Sequence, residues 1–148
     1  LPICQILSQI PHTVRNGNRE HRLPNTANIA FDFVEAEAVL MLLDQVGICA
    51  SSGSACTTGS LDPSHVLTAM GLPAMRARGS VRFSLGIYNT DEDVRYLLEH
   101  LPPIIQRLRD ISPLNPEHPD NVNYDVDPAR EKHEADMAGE RAGETVGA

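Results

Sequence analysis

Two short runs restrict this chain more than anything else in it: Asn28-Ile29-Ala30-Phe31-Asp32-Phe33 and Ser80-Val81-Arg82-Phe83-Ser84-Leu85-Gly86. Successive side chains of a strand point to opposite faces, so alternation of this kind reads as a strand with one apolar side. Ile29, Phe31 and Phe33 face inward in the first run, Val81, Phe83 and Leu85 in the second. Such a surface has to be covered, and helices with matching apolar stripes lie near both runs in the sequence.

Glu35–Gln45 places Ala36, Val39, Leu40 and Leu43 on one helical face. Thr90-Asp91-Glu92-Asp93 opens a second helix to about Ile111, with Thr90 and Asp93 forming a capping box that uses Asp for the customary Glu. Val94, Leu97, Leu98, Leu101, Ile104, Ile105 and Leu108 supply its apolar stripe, and Pro102-Pro103 should bend it. Leu1–Ile10 reads as the end of a helix, with Ile3, Leu7 and Ile10 on one face and Cys4 beside them in the core. Thr13–Arg22 is polar and basic, with a turn at Asn16-Gly17-Asn18. Val46–Ala50 reads as a short buried strand containing Cys49. Pro63–Met70 reads as a helix, with Asp62 as N-cap and Gly71 ending it; His65 is a solvated residue there with no role assigned. Arg76-Ala77-Arg78-Gly79 reads as a basic connection. The expected fold is α+β, a small mixed sheet with helices mainly on one face.

Between the Val46–Ala50 run and the Pro63 helix lies Ser51-Ser52-Gly53-Ser54-Ala55-Cys56-Thr57-Thr58-Gly59-Ser60. No large side chain in it can bury Cys56, and the glycines and hydroxyl residues keep its backbone free and solvated. A thiol displayed this way is either a reactive group carried toward a second reactant or a surface cysteine without a role; chemistry alone leaves both open. Arg82, at mid-strand, needs an anionic partner. An internal carboxylate and a ligand both qualify, and the residues alone favour the internal salt bridge.

With 148 residues the chain has room for one domain with a real core. Its net charge of −8 argues against a nucleic-acid backbone as partner, and it has no run of eighteen apolar residues to span a membrane. Three widely spaced cysteines form neither a disulfide framework nor a zinc site, which fits a reducing cytoplasm. From Pro113 onward nine acidic residues face three basic ones, a net −6, with four prolines and almost no large apolar residue. That composition reads as a disordered acidic tail. The expected organisation is the end of a connecting helix over 1–12, a domain over 13–112 and the tail over 113–148.

Four segments in order carry a family resemblance: Arg22-Leu23-Pro24-Asn25-Thr26-Ala27-Asn28-Ile29, Ser51-Ser52-Gly53-Ser54-Ala55-Cys56, Asp62-Pro63-Ser64-His65-Val66-Leu67 and Val81-Arg82-Phe83-Ser84-Leu85-Gly86. Together they resemble the C-terminal small domain of cysteine desulfurases, in the nitrogen-fixation (NifS-type) branch of the class-V aminotransferases. These are fold-type I pyridoxal-phosphate enzymes. The resemblance spans about Arg22 to Pro113 and implies sulfur transfer from L-cysteine to a protein cysteine, with release of L-alanine, for iron–sulfur cluster assembly in nitrogenase maturation. It implies that Cys56 becomes the persulfide and that Arg82 holds the substrate carboxylate. It further implies a cytoplasmic homodimer and an iron–sulfur scaffold protein as sulfur acceptor. No intrinsic metal site is implied, although Cys56 would meet a nascent cluster during transfer. The chain departs from the family in one respect. Its one lysine, Lys132, lies in the acidic tail, so no Schiff-base lysine and no cofactor-binding residue is assigned. The expectation is a fragment inactive alone. A cofactor-free persulfide carrier and a non-catalytic interaction domain are the alternatives.

Overall fold

The computed structural model describes residues 2–18, 20–52 and 63–115. A 3₁₀ turn at Pro2–Gln5 leads into α1 (Ile6–Gln9) and β1 (Thr13–Arg15). Then follow β2 (Thr26–Phe31), α2 (Ala36–Gln45), β3 (Ser51–Ser52), α3 (His65–Ala69), α4 (Ala74–Arg78), β4 (Ser80–Ser84) and α5 (Asp91–Asp110).

The described strands form one sheet in the order β1-β2-β4-β3, and all three pairings are antiparallel. A mixed sheet was the sequence expectation. β2 and β3 do run the same way, as a strand–helix–strand unit requires, but β4 inserts between them and pairs with both, so no parallel pair forms.

Ala27, Ile29 and Phe31 of β2 and Val81 and Phe83 of β4 make the apolar face, each at most 4% exposed. Val39 and Leu43 of α2 and Leu97, Leu101 and Ile105 of α5 join them in one core. Ile3, Ile6 and Ile10 close its edge, so Ile6 rather than Leu7 completes the first helical stripe. A fully buried side chain of this size contributes about 1.5–3 kcal/mol, which is why one α+β layer closes around these few elements.

Helix ends explain where the strand and helix expectations failed. At the end of α2, Gly47 has φ 76°, its N–H donates to Asp44 O at 2.9 Å, and Ile48 N–H donates to Leu43 O at 2.9 Å. That is a Schellman motif. It uses up Val46–Ile48, so Val46–Ala50 is not a strand; pairing starts only at Ser51, and Cys49 is exposed rather than buried. Gly71 (φ 84°) ends α3 in the same way, with Leu72 N–H donating to Leu67 O at 3.1 Å and both leucines buried. α3 starts at His65 with Ser64 at its N-cap, two residues later than the expected start at Asp62-Pro63; Asp62 itself lies outside the described residues, and His65 is exposed. α5 begins on the expected capping box: Thr90 N–H donates to Asp93 Oδ2 at 2.8 Å and Asp93 N–H to Thr90 Oγ1 at 3.3 Å. The helix then runs unbroken through Pro102-Pro103 to Asp110.

The supposed basic connection is a helix, α4, after Pro73. Its Arg76 is buried and forks onto Asp32, Nε to Oδ1 and Nη2 to Oδ2, both at 3.3 Å. Arg109 of α5, also buried, donates to the carbonyls of Asp32 (3.1 Å) and His12 (3.0 Å). These two arginines satisfy the end of the sheet where His12 (φ 51°) and Phe33 (φ 72°) take left-handed backbone conformations. The reversal at Phe33 ends β2 two residues before the alternation in the sequence does.

Candidate functional site

The face of the sheet away from the main core carries Asn28 and Ala30 of β2, Ser80, Arg82 and Ser84 of β4, and Ser51 of β3, because directly paired antiparallel residues share a face. Arg82 pairs with Asn28 on one side and Ser51 on the other. β4 is thus hydrogen-bonded along both edges at this residue, and the backbone under Arg82 is fixed. The guanidinium stem is half-buried. Its Nε is fully buried without a hydrogen-bond partner.

Among the described residues, the internal carboxylate favoured by the residues alone does not pair with Arg82. The ion pairs among the described residues are Arg76–Asp32 and Arg95–Glu92, and neither involves Arg82. Its cross-strand neighbours, an amide and a hydroxyl, carry no charge. With Nε buried and no anionic partner among the described residues, Arg82 carries the planar donor set that can take a carboxylate in two parallel hydrogen bonds.

A second set of polar groups, not singled out in the sequence, adjoins it. Asn16 Nδ2 donates to Asn28 Oδ1 at 2.6 Å and to Ser80 Oγ at 2.9 Å, and the Asn16 N–H donates to Asn28 O at 2.9 Å. Ser80 Oγ donates to Arg76 O at 2.7 Å. The signal available was the turn Asn16-Gly17-Asn18, where Gly17 takes φ 87°. What it could not reveal is β1, a strand of three residues that carries the turn to Asn28.

Cys56 lies outside the described residues, as do Lys132 and the tail from residue 116 onward. Ser51-Ser52, which lead into the Cys56 segment, are tied to Arg82 and Val81 as β3. Among the described residues there is no lysine, and no group of His, Cys, Asp and Glu arranged to hold a metal ion. The described residues therefore do not fit pyridoxal phosphate itself, which needs a positioned amine. No helix among them is long and apolar enough to cross a membrane.

The family model described as aminotransferase class-V matches residues 3–97. The cysteine desulfurase of Azotobacter chroococcum mcd 1 and the cysteine desulfurase NifS of Azotobacter vinelandii are each 55% identical over 108 residues, 73% of this chain and 27% of the relative. An X-ray structure of a NifS-like protein from Rickettsia africae ESF-5 superposes with a TM-score of 0.60 at 34% identity, covering 70% of this chain and 26% of that one. This chain spans about 27% of the length of the curated relatives it matches. With the class-V model matching from the first core isoleucine into α5, across the whole sheet, this chain belongs to the class-V aminotransferase family.

Proposed function

We propose that this chain is the substrate-carboxylate and sulfur-accepting part of a pyridoxal-phosphate-dependent cysteine desulfurase. The observation that carries the reading is Arg82: a guanidinium fixed at the centre of a sheet, its Nε buried and unpaired, between two neutral neighbours. In the overall reaction L-cysteine and a protein thiol give L-alanine and a protein persulfide, which balances without an added oxidant. Arg82 holds the α-carboxylate, and Cys56 is the thiol that accepts sulfur. Chain connectivity supports the pairing. Cys56 follows Ser52 by four residues, at most about 14 Å of extended chain, and Ser51 is the cross-strand partner of Arg82.

The cofactor, held by residues other than those described, supplies electron withdrawal from the substrate's α-carbon. What the present residues add is orientation, which can supply several kcal/mol of a barrier. Delivery to an iron–sulfur scaffold protein, action as a homodimer and a cytoplasmic setting belong to the same reading, as does a part in nitrogenase maturation.

The test is a chimaera in which this sequence replaces the matching 108-residue stretch of the Azotobacter vinelandii relative. The expected result is alanine release from L-cysteine and, by mass spectrometry, a mass increase of one sulfur on the peptide containing Cys56. Cys56→Ala should abolish both with the cofactor absorbance unchanged, and Arg82→Ala should chiefly raise KM for L-cysteine. Desulfuration at full rate by the Cys56→Ala chimaera would refute the assignment.

A further inference from the structure

The hydrogen bonds beside Arg82 run in one direction, and that direction can be deduced. The carbonyl of Arg76 can only accept, so the Ser80 hydroxyl, 2.7 Å away, spends its proton there. Ser80 Oγ then receives a hydrogen bond, so the Asn16 atom 2.9 Å from it is the amide nitrogen. The second proton of that nitrogen points to Asn28 at 2.6 Å, and the atom receiving it is the Asn28 carbonyl oxygen. The NH2 end of Asn28 is therefore the end left over, on the face it shares with Arg82. It has no partner among the described residues.

We propose that Asn28 is a second carboxylate-binding residue, donating from Nδ2 to the same carboxylate as Arg82, and that Asn16 is a positioning residue that holds the Asn28 amide in the donating orientation. This rests on the Arg82 reading and deepens it. An asparagine amide can turn over at little cost, presenting its oxygen to an anion in place of its nitrogen. Left unfixed, Asn28 would offer a carboxylate either an attractive donor or a repulsive acceptor. The relay from the α4 carbonyl through Ser80 and Asn16 removes the second possibility. It also gives the class of ligand: an amino acid read by its carboxylate, through one charged and one neutral donor on adjacent strands.

The chimaera described above serves for the test, loaded with cofactor. Calorimetry measures the dissociation constants of L-alanine and of ethylamine, its counterpart without the carboxylate, and their ratio is the readout. Loss of a hydrogen bond to a charged group should weaken L-alanine by about tenfold or more and leave ethylamine unchanged. Asn28→Ala removes the donor. Asn16→Asp keeps the shape of Asn16 but offers oxygen where Asn28 now finds a donor, so the Asn28 amide should turn over; L-alanine should weaken by a similar factor although residue 16 touches no ligand. In an Asn28→Ala background Asn16→Asp should then add little.

If Arg82→Ala leaves the ratio unchanged, the Arg82 reading itself fails. If Arg82→Ala changes it and Asn28→Ala does not, Arg82 stands and Asn28 is no ligand. Full additivity of Asn16→Asp with Asn28→Ala would overturn the positioning role. So would an Asn16→Asp variant that weakens L-alanine and ethylamine equally.

Discussion

Gly79→Ala is the substitution whose outcome the structure decides most sharply. Gly79 caps α4 one residue before β4, with φ −82° and ψ 10°, angles alanine adopts freely. On backbone grounds alone alanine should stabilise by about 0.4–1 kcal/mol, through the reduced freedom of the unfolded chain. Space reverses the sign. A Cβ on Gly79 would lie 2.4 Å from Phe31 O and 2.9 Å from Val34 O. Both are main-chain atoms, and Phe31 is 0% exposed and paired with Thr13 of β1, so neither can swing aside. Overpacking of this kind costs about 1–3 kcal/mol. Separating the two segments also lengthens the Phe31 N–H to Gly79 O hydrogen bond (2.9 Å), worth about 1 kcal/mol. The net expectation is a loss of about 2–3 kcal/mol, a fall in Tm of roughly 10–20 °C for a domain of about 100 residues. Urea unfolding followed by circular dichroism measures it. Gly71→Ala is the control, since Gly71 has φ 84° and no atom within 4 Å of a Cβ; its cost is the left-handed penalty alone, about 1–2 kcal/mol. A Gly79→Ala protein as stable as the parent would refute the close approach, and with it the β2–β4 register that sets Asn28 opposite Arg82.

Asp32→Ala should cost about 3–5 kcal/mol in the same assay, because it strands the buried Arg76 guanidinium; adding Arg76→Met should recover much of that, and an unrecovered double variant would count against the pair. Asp93 has its carboxyl held below the ordinary 3.8 by the Thr90 backbone N–H first, then by the Asn89 amide. A lowered folded-state value favours the folded form above the unfolded value and ceases to do so as pH falls through the folded one. Asp93→Asn should thus be less stable than the parent near neutrality, with the gap closing below the carboxylate range; a gap independent of pH would sink the capping role. Cys49 is exposed and Cys4 half-buried against the core, so a brief iodoacetamide pulse should label Cys49 ahead of Cys4, and equal labelling would contradict the Schellman turn that displaces Cys49 from a strand.

Periodicity settled a good deal before any coordinates. The alternation at Ile29 and Phe31 and at Val81 and Phe83, the stripe of α2, and the Thr90–Asp93 box are local signals, each written within about one turn or one pleat of itself, and each stands in the structure. The motif around Arg82 likewise marked the family, because the residues that carry it are contiguous. Other features depended on partners far away in the chain. Arg76 sits in what reads as a basic connection and Arg82 at mid-strand, and nothing local says which of the two finds a carboxylate. Asp32, 44 residues from Arg76, claims that guanidinium, while the strands beside Arg82 bring it only Asn28 and Ser51. Cys49 looked buried because Val46–Ala50 is apolar, yet the end of α2 takes those residues for its cap. β1 is too short to declare itself and exists because β2 offers it an edge, and that pairing brings Asn16 to Asn28 across twelve residues. Local patterns determined which segments form; the pairing of those segments decided which charge is neutralised, which amide is turned, and which donors remain open to a ligand.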